Sequence, residues 1–247
     1  MKQLLFYKKP VAINKKTHAN TLVKPPGSDF SFAQKTSFVA LAGHEFAHAA
    51  KEYAIVFAKA GGGQGQIAPV VLLGLRSKEN LLVDEDGRWR GRYIPGFVRQ
   101  YPFLLGRGID STTKMAVCVD SDYKGFDAQE GERLFNDDGE YAAYLKQSVD
   151  QLQTAQGQFT RTGTFAEKLK SLDLLVEITA RSGFTGDKPF TMKGLYMVDE
   201  KRLVALKDKQ ALELFRTGEM GWIYSHLISI SNMRRLVDLL AVRVASA

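Results

Sequence analysis

The order of hydrophobic and polar residues divides the chain into strand-like and helix-like stretches. Short apolar runs bounded by glycine or polar residues are typical of strands, whereas apolar residues three and four apart are typical of helices. Strands are predicted at residues 53–58, 67–75, 80–83, 88–93, 115–119, 174–178, 190–198 and 203–206. Helices are predicted at residues 35–53, 140–153, 164–174, 208–216 and 221–244, with a short helix or turn at 95–103.

Short polar turns separate several neighbouring strands, which predicts hairpins and therefore antiparallel pairing. Residues 84–87 join one such pair and residues 199–202 another. We therefore expect an α+β fold with a mostly antiparallel, hairpin-built sheet packed with helices. Residues 71–83 and 191–206 share a Gly-Leu strand, a polar turn and a leucine-rich strand. This pattern indicates either two similar hairpin-plus-helix lobes or a chance resemblance between two amphipathic hairpins.

The charge distribution separates residues 1–34 from the rest of the chain. The first 28 residues contain six lysines and no acidic residue, whereas the remainder is nearly neutral, with 28 Lys and Arg against 27 Asp and Glu. A Pro-Pro-Gly cluster at 25–27 closes this segment. We predict an extended basic leader at 1–34 and one globular domain at 35–247, with candidate sub-lobes 35–135 and 136–247. A basic leader can bind nucleic acid or an anionic surface, but a solvated terminus is the favoured interpretation.

The composition, with 45% hydrophobic and 25% charged residues, is that of a globular protein with a sizeable core. No uncharged apolar run approaches the roughly 20 residues that a transmembrane helix needs, so we expect no transmembrane segment. The first nine residues lack the apolar region and cleavage site of a signal peptide. The single cysteine, Cys118, excludes an intrachain disulfide framework. Together these features predict a cytoplasmic protein.

Residues 44–48, His-Glu-Phe-Ala-His, match the H-E-x-x-H motif of zinc peptidases. In such a helix His44 and His48 bind one zinc ion, and Glu45 activates the bound water as a general base. A third ligand is required, and Lys51 occupies the glycine position of the extended motif. On a helical wheel the two histidines also point away from the apolar stripe. We therefore expect no cofactor, with a zinc ion as the alternative.

Between residues 87 and 107 five arginines alternate with five aromatic residues and no acid is present. Mixed basic and aromatic residues are used in nucleic-acid and anion sites. The same residues would also form an aromatic core whose arginines pair with the acidic segment 120–140. We favour the second interpretation because the body of the chain is nearly neutral.

A series of short motifs spans about residues 40–235 of the chain. The motifs are Glu-Phe at 45–46, Tyr-Ala-Ile-Val-Phe at 53–57, Leu-Gly-Leu at 73–75, Glu-Asn-Leu at 79–81, Asp-Gly-Arg-Trp at 86–89, Tyr-Ile-Pro at 93–95, Arg-Gln-Tyr-Pro-Phe at 99–103, Leu-Phe at 134–135, Asp-Gly-Glu at 138–140, Gly-Leu-Tyr at 194–196, Gly218, and Tyr-Ser-His at 224–226 followed by Ser229. These motifs, in this order, resemble the SapC family, bacterial proteins of about this length named from a surface-layer context and distinct from the transporter permease of the same name. The family pattern has proline in place of Ala54.

The resemblance implies a cytoplasmic bacterial protein without an assigned reaction, because the export suggested by the family name has no counterpart in this sequence. The family pattern includes Glu45 but not the flanking histidines, which weakens the zinc hypothesis. It makes Glu45, Asn80, Arg99 and Tyr101 candidates for a shared polar site. The alternative role of these four residues is a buried hydrogen-bond network that fixes the fold.

We therefore predict a non-catalytic accessory protein that binds a partner protein or a small ligand, with Glu45 as the candidate catalytic residue if there is one. The alternative is a zinc-dependent hydrolase that uses His44, Glu45 and His48. A third hypothesis is a binder of nucleic acid or an anionic surface through the lysines of the leader; nucleic acid is disfavoured by the neutral body.

Overall fold

A computed structural model describes residues 5–59, 66–107, 115–181 and 191–245 of the chain. The strands are β1 Pro10–Ala12, β2 Leu22–Val23, β3 Phe38–Ala40, β4 Ile55–Lys59, β5 Ile67–Leu72, β6 Phe103–Arg107, β7 Met115–Asp120, β8 Glu132–Arg133, β9 Leu175–Arg181 and β10 Thr191–Val198. The α-helices are α1 Phe46–Ala49, α2 Gly96–Arg99, α3 Ala143–Ser171, α4 Glu200–Val204, α5 Asp208–Arg216, α6 Glu219–Ser229 and α7 Met233–Ala245. Short 3₁₀ turns lie at Ser31–Ala33, Gly43–Glu45 and Ile230–Asn232.

Three sheets organise these elements, and the strand pairs within the described residues are antiparallel. The largest sheet has the order β3-β5-β4-β10-β9, a second has the order β1-β7-β6, and β2 pairs with β8. The β4–β5 hairpin predicted from the sequence is present, with Phe57 opposite Pro69. The α+β fold with a mostly antiparallel sheet is therefore confirmed. Among the described residues no helix is long and apolar enough to cross a membrane.

The long helix α3 connects two hydrophobic cores. Its first turns contribute Leu145, Val149 and Leu152 to a core that includes strands β6 and β7. Its last turns contribute Phe165 and Leu169 to the core beneath the five-stranded sheet. Because each end of α3 is packed against a different core, the middle turns of the helix lie between the two, and a cleft opens there.

The helix predicted at residues 35–53 is wrong over most of its length. Phe38–Ala40 is an edge strand paired with Leu72–Val70, and a 3₁₀ turn and the four-residue helix α1 follow. The apolar spacing that suggested a helix also permits a strand in which Val39 is fully buried and Phe38 is 41% exposed. Pairing with β5 decides between the two, because tertiary contacts override a local periodicity.

The two helices predicted at 140–153 and 164–174 form one helix of 29 residues. Gly157, Gly163 and several threonines lie in or beside the gap between the two predicted helices, and these residues are weak helix formers. Packing of both ends of α3 stabilises the helix across this region. The threonine hydroxyls bond to carbonyls four residues earlier, as Thr162 does to Gln158 at 2.7 Å.

The second predicted hairpin, with a strand at 203–206, is wrong. Asp199 caps a helix instead, its carboxylate accepting the amides of Lys201 and Arg202, and Glu200–Val204 becomes α4. Strand β10 pairs with β9 on one side and β4 on the other, so strands from both halves of the chain share one sheet. The hairpin predicted around 84–87 is reduced to a turn with an isolated bridge between Val83 and Trp89.

Other predicted elements agree with the structure more closely. The strands at 53–58, 67–75, 115–119, 174–178 and 190–198 are confirmed, except that Phe190 lies outside the described residues. The helix at 208–216 is confirmed as α5, and the short helix at 95–103 as α2. The single helix predicted at 221–244 is divided into α6 and α7 by the turn at Ile230–Asn232.

The described part of the leader contains β1, β2 and a 3₁₀ turn and is not a solvated terminus. Phe6 and Tyr7 are buried in the main core, and β1 pairs with β7. The fully buried carboxylate of Asp120 accepts the backbone amides of Lys8 and Lys9 at 3.0 and 2.8 Å. Residues 1–4 lie outside the described residues. The domain boundary at residue 35 stays a prediction.

Candidate functional site

A cleft of about 390 Å³ lies between the middle turns of α3 and the segment that contains α2 and the Gly43–Glu45 turn. The side of α3 contributes amides, among them Gln147, Gln151 and Gln158. The facing side contributes Glu45 and Arg99. The structure therefore brings together two of the four polar residues proposed from the family resemblance.

Glu45 is only 3% exposed and accepts three hydrogen bonds. One carboxylate oxygen, Oε1, accepts the Tyr93 hydroxyl at 2.5 Å and the Gly96 amide at 2.7 Å. The other, Oε2, accepts the amide of Ala42 at 3.1 Å and caps the turn in which Glu45 lies. Glu45 thus joins two loops of the cleft wall, and its carboxylate is held by protein donors.

Tyr93 supports this wall through its hydrogen bond to Glu45, although it does not itself line the cleft. Burial raises the pKa of the Tyr93 hydroxyl, and the hydrogen bond to Glu45 raises it further, so the hydroxyl stays a donor at neutral pH. The guanidinium of Arg99 lies 5.9 Å from the centre of the Tyr93 ring. On the same ring His48 stacks with centroids 5.7 Å apart and an angle of 18° between the planes. Tyr93 therefore contacts the side chains of Arg99 and His48 as well as the carboxylate of Glu45.

Arg99 is exposed and provides the cationic group of the cleft. Opposite it, the Oε1 atom of Gln158 is buried and has no hydrogen-bond partner within the described part of the chain. A buried amide oxygen without a donor costs about 1–3 kcal/mol. The cleft therefore has a cation, Arg99, that can bind an acceptor group of a ligand. It also has a carbonyl oxygen, Oε1 of Gln158, that can bind a donor group.

Asn80 and Tyr101 lie in other hydrogen-bond networks. Asn80 donates its amide to the carbonyl of Ala33 at 3.0 Å and accepts the Leu82 amide at 2.8 Å. The hydroxyl of Tyr101 is 3.3 Å from Oδ2 of Asp120, within the network that holds the leader. Both side chains are buried and hydrogen-bonded within the protein. A buried hydrogen-bond network, the alternative role given for the four family residues, thus describes Asn80 and Tyr101 better than a binding site does.

The H-E-x-x-H residues do not form a continuous zinc-binding helix. His44 and Glu45 belong to a 3₁₀ turn, and helix α1 begins only at Phe46. His44 lines the cleft, whereas His48 stacks on Tyr93. Within the described ranges no group of three His, Cys, Asp or Glu side chains is arranged to hold a metal ion. Glu45, already bonded to three protein donors, is poorly placed to activate a water molecule.

The arginines of the cluster at 87–107 have different surroundings, and Arg99 lines the cleft. Arg90 lies 4.0 Å from Asp84, and Arg99 lies over Tyr93. No ion pair described for these arginines involves the acidic segment 120–140, so that predicted pairing is wrong for Arg90. The side chain of Arg107 lies outside the described residues.

Sequence reasoning missed Tyr93 and the glutamines of α3. The only available signal for the glutamines was their helical spacing at 147, 151 and 158. That spacing places them on one side of a helix, but the prediction ended the helix at residue 153 and separated Gln158 from the others. Tyr93 was assigned to a strand and to a packed core.

Comparison with known proteins gives one family. The family model described as SapC matches residues 13–236 of the 247-residue chain. No curated protein and no solved structure matches the chain. The matched region includes the whole of the cleft, from Ala42 to Phe159. The chain belongs to the SapC family.

Proposed function

We propose that this protein is a non-catalytic binding protein whose ligand occupies the cleft between α3 and α2. The observation that carries the proposal is the cleft itself, about 390 Å³ with Arg99 on one side and glutamine amides on the other. Its volume falls in the range of small-molecule sites, roughly 300–1,000 Å³. Polar groups that converge on such a cavity fix the orientation of a ligand.

The lining determines the chemistry of the ligand. Arg99 would bind a carboxylate or carbonyl group, since a guanidinium has donors and no acceptor. The buried Oε1 of Gln158 needs a donor, which a ligand N–H or O–H would supply. A ligand with both groups, such as an amino acid, an amide or a hydroxy acid, fits this pair. Glu45 has a supporting role because it positions the loop that carries Arg99.

Binding is favoured over catalysis because the candidate catalytic residue, Glu45, and its partner Tyr93 are engaged in structure. Glu45 accepts three protein hydrogen bonds, and Tyr93 is held as a donor by burial and by Glu45. A general base must have an accessible lone pair within reach of the proton that it removes. A cytoplasmic location stays a prediction.

Thermal unfolding with a panel of compounds tests the proposal. The panel holds free amino acids, dipeptides, hydroxy acids and N-acetylated sugars, measured with wild type, Arg99→Gln and Arg88→Gln. Arg88 is an exposed arginine outside the cleft and serves as the matched control. We expect compounds that raise the unfolding temperature of wild type and Arg88→Gln but not of Arg99→Gln. Compounds that stabilise all three proteins equally, or none of them, would contradict the proposal.

A further inference from the structure

The cleft has the largest volume of three neighbouring cavities along α3. Two further cavities, of about 140 and 250 Å³, adjoin it, and Gln100 lines all three. The smaller one shares Phe97 and Phe159 with the cleft, and the other shares Arg99 and Gln151. We call these three connected cavities the α3 groove.

One side of α3 forms the floor of the groove from end to end. Six of the lining positions share one face of the helix, because they recur at helical spacing. They are Tyr144, Gln147, Gln151, Ala155, Gln158 and Phe159. From Tyr144 to Phe159 this face extends for about 22 Å at ~1.5 Å per residue. An extended polypeptide at ~3.3 Å per residue would place about six residues along it.

The polar lining of the groove suits the backbone of a peptide. Each glutamine side chain has both a donor and an acceptor, which are the groups that a backbone N–H and C=O require. Gln147, Gln151 and Gln158 follow one another along the floor, and Gln100 faces them. Few charged residues line the groove, and Asp150 accompanies Arg99 there, so a polyanion such as nucleic acid is a poor match.

The apolar lining supplies a site for one side chain. The cavity of about 140 Å³ is lined mainly by apolar residues, including Phe97, Leu104, Leu152 and Phe159. A hydrophobic anchor residue of a peptide would fill it, whereas the sugar rings of a glycan carry no such group. Arg99 lies at the boundary between the other two cavities, and there it would bind a carboxylate of the same peptide.

We propose that the α3 groove binds an extended peptide segment of about six residues with one apolar anchor and one acidic side chain or terminal carboxylate. This inference rests on the proposed binding function and specifies its ligand class. The apolar anchor occupies the cavity beside Phe97 and Phe159, and the carboxylate pairs with Arg99.

A phage-displayed library of random octapeptides, selected on the immobilised full-length protein, tests the inference. Enriched sequences are synthesised with a fluorescent label, and their affinities are measured by polarisation. Gln151→Glu places a carboxylate on the floor of the groove, in the two cavities that Arg99 also lines, where it would repel the carboxylate of the peptide. Gln153→Glu makes the same change at an exposed position of α3 that lines none of the three cavities. Both residues are exposed on a long helix, so neither change is expected to prevent folding.

We expect enriched peptides to share an apolar and an acidic position, and to bind Gln151→Glu roughly tenfold or more weakly than wild type and Gln153→Glu. Peptides that bind both variants equally would overturn the inference. So would binding of maltohexaose or chitohexaose in place of peptides, with the same loss in Gln151→Glu. If no peptide binds while the Arg99-dependent compounds still do, the peptide inference fails and the binding function stands. If neither class binds, both fail.

Discussion

The hydroxyl of Tyr93 donates a hydrogen bond of 2.5 Å to the carboxylate of Glu45, a residue 48 positions earlier in the chain. The same carboxylate oxygen accepts the amide of Gly96, and the other oxygen accepts the amide of Ala42. One buried acid thereby holds the turn before α1 against the segment that leads into α2. The wall of the cleft depends on this contact, because Arg99 follows three residues after Gly96.

Tyr93→Phe and Glu45→Gln are predicted to be coupled. A hydrogen bond to a charged group contributes about 1.5–3 kcal/mol, so each change should lower the free energy of unfolding by about 2 kcal/mol. The double variant should lose less than the sum, with a coupling of about 1 kcal/mol, because the first change already removes the shared bond. Urea unfolding of the four proteins measures the cycle. Tyr224→Phe, at an exposed tyrosine, should have no effect, and strict additivity would refute the coupling.

Gly43→Ala is predicted to destabilise the protein. A Cβ atom at this position would overlap the ring of Trp222, which packs edge-on against Phe165 with centroids 5.2 Å apart. The amide of Gly43 is also fixed, since it donates to Thr162 Oγ1 at 2.8 Å. Overpacking of a rigid aromatic site costs about 1–3 kcal/mol. Chemical denaturation should show a loss in that range.

Gly163→Ala is the matched control for Gly43→Ala. Gly163 is exposed within α3, and an added Cβ atom would meet nothing within 4 Å. Alanine is favoured over glycine in a helix interior by about 0.5–1 kcal/mol, so this variant should be more stable than wild type. If both alanine variants changed stability in the same direction, the contact between Gly43 and Trp222 would not be the cause.

His226 is predicted to make the protein less stable in acid. Its Nε2 accepts the Val198 amide at 3.0 Å, so the proton must be on Nδ1, 2.8 Å from the Ile55 carbonyl oxygen. Burial lowers the pKa of His226 from 6.5 to about 4. The folded state therefore binds fewer protons than the unfolded state between these values. The contribution of His226 to the free energy of unfolding is therefore complete above pH 6.5. It falls by about 3 kcal/mol as the pH drops to 4.

Two measurements test the role of His226. Nuclear magnetic resonance of the ring protons should give a pKa near 4 for His226 in the folded protein. The free energy of unfolding of wild type should decrease more between pH 7 and pH 4 than that of His226→Gln, which has no titrating ring. A ring pKa near 6.5, or equal pH dependence of the two proteins, would contradict the prediction.

The sequence predicted the fold best where local pattern and tertiary packing agree. β4 and β5 are mainly apolar runs, and α5 has a strong separation of apolar and polar faces. The prediction of these three elements therefore did not depend on distant contacts. The pattern failed at Phe38–Ala40, where pairing with β5 selects a strand. It failed again at Gly157, where packing at both ends of α3 extends the helix. These errors arise from contacts between residues far apart in the chain.

The candidate site was predicted only in part for the same reason. The family resemblance placed Glu45 and Arg99 among the candidates, and the structure brings them to one cleft. It could not distinguish them from Asn80 and Tyr101, since a polar residue of the family pattern can serve either binding or structure. The opposite wall comes from Gln158, whose position depends on a helix that the sequence pattern interrupts.

The protein is predicted not to bind zinc stoichiometrically. His44 and Glu45 lie in a turn before α1, and the described residues offer no third ligand beside the two histidines. Structural and catalytic zinc sites use at least three protein ligands. Elemental analysis of tag-free protein after zinc loading should show far less than one ion per chain, as for His44→Ala/His48→Ala. About one ion per chain, lost in the folded double variant, would instead support the hydrolase hypothesis.

Asp120 is predicted to hold the leader on the body of the protein. Its buried carboxylate accepts the amides of Lys8 and Lys9, and an asparagine cannot accept on both sides because one oxygen becomes an NH₂ donor. Asp120→Asn should lower the free energy of unfolding by about 1–3 kcal/mol.

Asp120→Asn should also let the leader detach from the body more often. Limited trypsin digestion should then cleave after the leader lysines about tenfold faster for each ~1.4 kcal/mol lost. Asp122→Asn, the same charge change at an exposed neighbour, should leave cleavage unchanged, and equal rates in both variants would show that Asp120 does not hold the leader.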